Sequence, residues 1–102
     1  MTDVIRNFIN GELVEAADGA TTDLIDPCTG DVFATAPRSS AEDIDRACTA
    51  AQAGFEVWRD STPGERQLAL LKIADALEAR ADEFVAAESR NTGKPIGLTA
   101  SE

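Results

Sequence analysis

The longest periodic pattern in the sequence lies between Thr62 and Thr92. Its start, Thr62-Pro63-Gly64-Glu65, combines an N-cap residue, a proline at the first helical position and a glutamate at the third. Gly93 and Pro95 end the pattern, because neither residue continues a helix. The spacing predicts a single amphipathic helix over residues 62–92. Its apolar stripe contains Leu70, Ile73, Leu77, Ala81 and Phe84, widened by Leu71, Ala74 and Val85.

The predicted length of this helix has a consequence for the whole chain. A helix of roughly 30 residues is ~45 Å long at 1.5 Å per residue. A compact domain of about 100 residues has a diameter of only ~35 Å. The helix would therefore leave part of its apolar stripe exposed, which is typical of an interaction surface. We expect the chain to be part of something larger.

The residues before Ser39 have the short period and the turns of a β structure. Asn10-Gly11 lies between apolar flanks and predicts a type I′ hairpin, which needs a positive φ at both central residues. Asp18-Gly19 predicts a second turn. Short strands are predicted over 21–27 and 31–37, joined by a tight turn over 27–30. Residues 1–38 are thus predicted to form a β meander.

At Ser39 the period becomes helical. Ser39 and Glu42 fit a capping box. The pattern predicts an amphipathic helix over 39–60 with Cys48 packed on its inner face. The apolar positions are Ile44, Ala47, Cys48, Ala51, Phe55 and Trp58. The predicted fold class is α+β: a β meander, two amphipathic helices and, over 93–102, the start of a further segment.

Charge and composition exclude several functions. The chain has 19 acidic and 9 basic residues, for a net charge of -10, so it would repel a nucleic-acid backbone. No apolar run approaches the ~20 residues that a membrane span needs. Histidine and tyrosine are absent, which removes the usual general base and the usual metal ligand. Two cysteines without a secretory signal pattern indicate the reducing cytoplasm.

Individual candidate sites have simple structural interpretations. Cys28 lies in a predicted exposed turn, with no neighbouring base or cation to activate it. Gly93-Lys94-Pro95-Ile96-Gly97 lacks the Walker spacing and follows a helix, so Gly93 is predicted to be a C-cap. Phe55 and Trp58 are predicted to have a core or interface role. Solvated helix faces account for the carboxylate pairs Glu42/Asp45 and Glu78/Asp82.

Five motifs in order give the chain a family resemblance over essentially its whole length. They are Ile9-Asn10-Gly11, Asp26-Pro27-x-Thr29-Gly30, Trp58, Pro63-x-x-Arg66 and Thr92-Gly93-Lys94-Pro95. With these motifs the sequence resembles the N-terminal part of an NAD(P)-dependent aldehyde dehydrogenase, an α/β fold. The stretch from Arg90 to Thr99 is most similar to bacterial aminobutyraldehyde and betaine-aldehyde dehydrogenases.

The resemblance implies a reaction in which a cysteine thiolate attacks the aldehyde, hydride passes to NAD, and a glutamate-activated water releases the acid. The residues with these roles, and those that bind the cofactor, lie beyond residue 102 in family members. We therefore assign no catalytic and no cofactor-binding residue within this chain.

A monovalent-cation site is the one site that the resemblance carries onto this chain. Some members form it from two backbone carbonyls before the Asp/Asn-Pro turn and a carboxylate before Thr-Gly-Lys-Pro. The matching positions are Leu24, Ile25 and Asn91. Asn91 stands where many relatives have an aspartate, which should lower cation affinity because hard cations favour anionic oxygens. The alternative is that Asn91 only caps the helix end.

Two functions follow as expectations. In the first, the chain is the scaffold-forming N-terminal piece of a homo-oligomeric dehydrogenase that oxidises an aldehyde, such as an aminoaldehyde, and it is inactive alone. In the second, it is a stand-alone acidic interaction module that associates with itself through the exposed stripe.

Overall fold

A computed structural model describes residues 2–101 and divides them into two compact units. The first unit contains the residues up to Ile25 together with Val32–Asp60, and the second contains Asp26–Asp31 and the residues from Ser61 onward. Residues 1 and 102, at the ends of the predicted ranges 1–38 and 93–102, lie outside the described residues.

The first unit begins with five short strands in two sheets. The strands are β1 (Asp3–Val4), β2 (Asn7–Ile9), β3 (Glu12–Val14), β4 (Thr21–Ile25) and β5 (Val32–Pro37). β2 and β3 form an antiparallel pair, and the other sheet has the order β1-β5-β4. The hairpins β2–β3 and β4–β5 confirm the meander. The parallel pairing of β1 with β5 is an addition that no local pattern predicts.

The turn between β2 and β3 has the predicted conformation. Asn10 and Gly11 have φ angles of 53° and 81°, and Ile9 lies opposite Glu12. Positive φ at both central residues is the type I′ geometry that matches the twist of the flanking strands. The second predicted turn is also present, where the Gly19 amide donates to the Ala16 carbonyl at 2.9 Å.

Helix α1 (Ala41–Trp58) completes the first unit, and its N-cap is Ser40 rather than the predicted Ser39. The capping-box partner is Asp43 rather than Glu42. The Asp43 carboxylate accepts hydrogen bonds from the Ser40 backbone at 2.8 Å and from the Ser40 hydroxyl at 3.1 Å. Glu42 instead pairs with Arg46 one turn later. The predicted N-cap and its capping-box partner are therefore each one residue too early.

Asp43 also connects α1 to the strand region. Its second oxygen accepts a hydrogen bond from the Ala17 amide at 2.9 Å, and the residue is only 3% exposed. The backbone hydrogen bond from Ser40 is the main cause that lowers the pKa of this carboxyl, and it outweighs the opposing effect of burial. One ionised side chain thus joins the β3–β4 connection to the start of α1.

The second unit contains α2 (Pro63–Ala79), α3 (Ala81–Thr92) and the short α4 (Ile96–Thr99). The start of α2 confirms the predicted cap: Thr62 accepts from the Glu65 amide, and Glu65 accepts from the Thr62 amide. α3 ends at Gly93, which has a left-handed φ of 75°. The predicted C-cap at Gly93 is confirmed.

The single helix predicted over 62–92 is wrong, because the helix breaks at Arg80. Arg80 has φ -116° and ψ 23° and serves as C-cap of α2 and N-cap of α3. Its amide donates to Leu77 O, and its carbonyl accepts from the Glu83 and Phe84 amides. Its guanidinium bonds Glu83 at 2.6 Å. These local partners satisfy the backbone groups that the break exposes. The two helices are ~26 and ~18 Å long, so the argument from a 45 Å helix no longer holds.

Very little of the chain is buried. Within residues 2–101, the buried hydrophobic residues are Ala16 and Ala34, and Asp43 is the buried polar one. The accessible surface is 7816 Å². Two separate compact domains, each with half the mass of this chain, would together expose only about 6,700 Å². The chain therefore exposes more surface than two compact domains of that size. The predicted packing of Cys48 on an inner face is wrong, since its side chain is exposed.

The predicted α+β class, strands followed by helices, is confirmed. Over residues 2–101, no helix has both the length and the apolar character required to cross a membrane.

We expect Asp43→Asn to destabilise the first unit at neutral pH and to lower the urea concentration at its unfolding midpoint. The amide would present a donor to the donors of Ser40 and Ala17. Because folding lowers the pKa of Asp43, its stabilisation is fully present above the ordinary aspartate pKa of about 3.9. It is lost as the pH falls from there through the lowered folded-state value.

Urea unfolding followed by circular dichroism, at several pH values between neutral and 3, measures this effect. The difference between Asp43→Asn and the unmodified chain should shrink at the acid end, and NMR should show the Ala17 amide shifting with the same titration. Asp45→Asn, an exposed position on the same helix, is the matched control. A difference that stays constant to pH 3 would contradict the assignment.

Candidate functional site

Within the second unit, a turn packs against the end of α3. We define the turn–helix junction as residues 26–31 and 88–95. It contains two of the five motifs described above, Asp26-Pro27-x-Thr29-Gly30 and Thr92-Gly93-Lys94-Pro95. Both segments belong to the second unit although more than 50 residues separate them in sequence.

Local hydrogen bonds fix the turn side of the junction. The Asp26 carboxylate accepts from the Cys28 amide at 2.8 Å, and the Asp26 carbonyl accepts from the Gly30 amide at 2.8 Å. The Asp31 amide donates to the Thr29 hydroxyl at 3.2 Å, and the Asp31 carbonyl accepts from the Asp26 amide at 2.9 Å. An aspartate and a threonine thus hold the turn by bonds to backbone amides two residues on.

Hydroxyl groups and a glycine hold the helix side. The Gly93 amide donates to Ser89 O at 2.9 Å, and the Ser89 hydroxyl donates to Lys94 O at 2.7 Å. The Thr92 hydroxyl donates to Glu88 O at 2.8 Å and accepts from the Lys94 amide at 3.2 Å. These bonds satisfy carbonyls and amides that the end of α3 leaves without helical partners.

Gly93 is the point of contact between the two sides. A Cβ at this position would lie 3.0 Å from Pro27 Cγ, 3.7 Å from Pro27 Cβ and 3.9 Å from Cys28 Sγ. The close approach and the left-handed φ both require a residue without a side chain. The sequence predicts the left-handed cap but not its contact with Pro27.

The three residues predicted to bind a monovalent cation lie in different units. Leu24 and Ile25 end β4, where the register with β5 shifts between them. Asn91 is exposed on the last turn of α3. The cation site stays a prediction. The alternative role of Asn91 as the helix cap is wrong, because the C-cap is Gly93, and the end of α3 is held by Ser89 and Thr92.

Neither cysteine stands in a recognisable catalytic or metal-binding arrangement. Cys28 is exposed in the turn, as predicted, and Cys48 is exposed on α1. In the part of the chain that the structure describes, no group of three or more Cys, Asp or Glu residues could hold a metal ion. The sequence contains no histidine to form a Cys-His pair with either thiol.

The connection between β5 and α1 does not fit a nucleotide phosphate. Between residues 2 and 101, one strand leads directly into a helix, β5 into α1. This connection, 38–40, contains no glycine, and the amide of Ser40 at the helix start is bound to the Asp43 carboxylate. A phosphate loop needs free amides at such a helix start, and here an ionised carboxylate already occupies one of them.

Many large apolar side chains are exposed. Within residues 2–101 there are eighteen of them, and they are distributed over the strands and all four helices. Full burial of a side chain such as Leu or Phe stabilises by about 1.5–3 kcal/mol relative to leaving it exposed. Helix α2 contains five of these residues: Leu68, Leu70, Leu71, Ile73 and Leu77.

A second apolar area lies in the first unit, beside the β2–β3 hairpin. Phe8 and Leu13 are cross-strand partners and are 72% and 67% exposed. The hairpin and α1 line a shallow groove, with Phe8 and Ile9 on one side and Ala47, Ala51 and Gly54 on the other. Small residues on α1 leave space between the helix and the hairpin.

Comparison with known proteins identifies relatives over nearly the whole chain. The model of the aldehyde dehydrogenase family matches residues 13–102. An NAD-dependent aldehyde dehydrogenase from Sinorhizobium meliloti is 33% identical over 99% of the chain, with a TM-score of 0.93. A mutant aldehyde dehydrogenase from Bacillus cereus is 36% identical over 98%, with a TM-score of 0.94. Betaine aldehyde dehydrogenase from Staphylococcus aureus, solved with NAD+, is 32% identical over 94%, with a TM-score of 0.89.

The chain spans only about a fifth of these proteins: 21% of the first two and 20% of the third. The likeness confirms that the strands and helices described above match the aldehyde dehydrogenase fold.

We expect Gly93→Ala to destabilise the second unit by at least about 1–2 kcal/mol, the usual cost of a left-handed backbone for a residue with a Cβ. The contact with Pro27 adds to this cost. Urea unfolding measured by circular dichroism tests the expectation. Gly97→Ala is the matched control, since its Cβ would meet no atom within 4 Å and its φ is not positive. Equal effects of the two variants would contradict a special role for Gly93.

Proposed function

The chain belongs to the aldehyde dehydrogenase family, and from this premise we propose that it is the leading scaffold of an enzyme that oxidises an aldehyde to a carboxylic acid with NAD. One observation carries the proposal. The chain matches about a fifth of the length of its relatives, and its described residues include eighteen exposed large hydrophobic side chains, which is what a segment built to pack against further structure would show.

The proposal gives this chain no catalytic residue. Cys28 and Cys48 lack a histidine partner, and the β5–α1 connection does not fit a phosphate. NAD would supply the hydride acceptor, and it is held by other parts of the enzyme. The role of the described residues is structural: Asp43 orders the start of α1, and Gly93 lets the turn 26–31 approach the end of α3.

The finer assignments are proposals of the same kind. We propose an aminoaldehyde substrate, supported by the similarity of the Arg90–Thr99 stretch to aminobutyraldehyde and betaine-aldehyde dehydrogenases and by the betaine aldehyde dehydrogenase among the structural relatives. A cytoplasmic, homo-oligomeric enzyme is proposed with it. The measurement is turnover of 4-aminobutyraldehyde against propanal by a complete dehydrogenase that contains this chain. Preference for propanal would reject the aminoaldehyde.

We also propose that Leu24, Ile25 and Asn91 supply oxygen ligands to a monovalent cation. The support is the pair of backbone carbonyls that ends β4 and the exposed amide oxygen of Asn91. Asn91→Asp should then strengthen the stabilisation by potassium over choline, because a carboxylate binds a hard cation better than an amide. Thermal melts in the two chlorides measure this, with Asn10→Asp as a control that adds the same charge elsewhere. Equal potassium effects in the two variants would reject the site.

A self-associating module is the second candidate function, and the same exposed apolar residues support it. A symmetric dimer could cover one apolar patch on each copy. Light scattering on the purified chain separates the candidates, since a discrete, cooperatively melting dimer would favour the module. A monomer with dye-accessible apolar surface would favour the scaffold.

We expect this chain to replace the matched segment of the Bacillus cereus aldehyde dehydrogenase. The chimera should stay soluble and reduce NAD with the aldehyde of the parent enzyme at an unchanged substrate preference, because the chain contributes scaffold only. Formation of NADH with and without aldehyde is the measurement. The parent enzyme with the segment deleted is the control and should be inactive. A soluble, assembled chimera without turnover, or turnover by the chain alone, would contradict the proposal.

A further inference from the structure

The tip of the β2–β3 hairpin joins an asparagine to a glycine. The sequence contains three asparagines, and only Asn10 is followed by glycine, whereas phenylalanine follows Asn7 and threonine follows Asn91. The backbone nitrogen of the following residue can attack an asparagine side chain and close a five-membered ring, and a side chain on that following residue hinders the attack. Gly11 has no side chain. The hairpin tip therefore has the pair of residues that favours this reaction most.

Both reacting groups of this pair are accessible. Asn10 and Gly11 are exposed, and among residues 2–101 none forms a hydrogen bond with the Asn10 side chain or the Gly11 amide. The Asp18-Gly19 turn provides a contrast. There the Asp18 carboxylate accepts a hydrogen bond from a backbone amide at 2.9 Å, and the Gly19 amide donates to a backbone carbonyl at 2.9 Å. In that turn both groups are already bound.

The turn geometry determines how the ring can close. A type I′ turn, as found here, keeps ψ of its first central residue at roughly +30°, which directs the Gly11 nitrogen away from the Asn10 side chain. A type II′ turn has ψ of roughly -120° at the same residue, which brings this nitrogen and Cβ to the same side of the Cα–C bond. The two turns differ by a flip of one peptide, glycine tolerates either sign of φ, and both turns suit a two-residue hairpin. Ring closure therefore needs this flip and leaves the strand pairing in place.

We propose that Asn10-Gly11 is a site of spontaneous deamidation that produces isoaspartate at position 10. The Gly11 nitrogen loses its proton to solvent base and forms a bond to Asn10 Cγ. The Cγ–Nδ2 bond breaks, and the leaving nitrogen takes a proton from solvent and departs as ammonia. Water then opens the succinimide ring: attack at the main-chain carbonyl leaves the backbone running through Cβ and Cγ, which is isoaspartate, and attack at Cγ gives aspartate. The sum consumes one water and releases one ammonia.

Isoaspartate should separate β2 from β3, because it adds a backbone atom to a two-residue turn. The length of the turn fixes the register, in which Phe8 lies opposite Leu13 and Asn7 opposite Val14. Each strand has only three residues, so few hydrogen bonds oppose the loss of pairing. Aspartate, the other product, should keep the turn, since Asp-Gly also suits type I′.

Ageing of the purified chain in mildly alkaline buffer tests the site. The tryptic peptide 7–38 should gain the mass of an amide-to-acid conversion at position 10. The free α-carboxylate of isoaspartate should accept a methyl group from S-adenosylmethionine in the presence of an isoaspartyl methyltransferase, and NMR should show loss of the Phe8–Leu13 contact. Asn91→Gln should age like the unmodified chain. No conversion at Asn10, conversion to aspartate alone, or isoaspartate with the Phe8–Leu13 contact retained would overturn the proposal.

The Asn10→Asp variant tests the structural basis, because it contains Asp-Gly at both positions 10 and 18. In native buffer, isoaspartate should form faster at position 10 than at Asp18, whose carboxylate and following amide are both hydrogen-bonded. In concentrated urea the two rates should become similar. Before ageing, the variant should retain the Phe8–Leu13 contact, which separates the effect of the added charge from that of the added backbone atom. Equal rates in native buffer, or loss of this contact in the fresh variant, would contradict the proposal.

Discussion

One ionised carboxylate organises the first unit. Asp43 is 3% exposed and accepts three hydrogen bonds, from the Ala17 amide and from the amide and hydroxyl of Ser40. The bond from Ala17 joins the β3–β4 connection to the start of α1. A buried charge is tolerated only where it is fully hydrogen-bonded, and here those bonds come from two elements that are distant in sequence.

The second unit achieves its local order differently. Its turn, residues 26–31, is closed by Asp26 and Thr29, and the end of α3 is closed by Ser89, Thr92 and Gly93. Neither set of hydrogen bonds requires a large apolar core. Both units therefore combine local hydrogen bonds at turns and helix ends with few buried side chains.

This combination agrees with membership of a family whose solved members are about five times longer. Capping boxes, the type I′ hairpin and the turn–helix junction define the geometry of the segment. The leucines and the isoleucine of α2 are exposed, so burying them in further contacts would be favourable. We interpret the chain as a scaffold whose local structure is already ordered and which carries no catalytic residue itself.

Element types and most turns follow from local patterns. The Asn10-Gly11 turn, the Thr62–Glu65 cap and the Gly93 C-cap each depend on the conformational preference of a few adjacent residues, so the sequence predicts them. The helix start in α1 lies one residue after the predicted one, at Ser40 with Asp43 as its capping partner. The Asp43 carboxylate also accepts a hydrogen bond from the Ala17 amide, 26 residues away. A pattern of neighbouring residues cannot predict this bond.

No proline or glycine marks the break at Arg80, and the bonds of its amide, carbonyl and guanidinium are to residues three or four positions away. This break is therefore a local feature that the apolar period does not predict. Contacts between distant residues decided other features. The pairing of β1 with β5, the contact of Gly93 with Pro27 and the exposure of Cys48 likewise depend on which elements meet. Local patterns predicted where strands and helices form, because propensity and capping act over a few residues. Only the tertiary structure decided which faces are covered, because burial depends on neighbours that are distant in sequence.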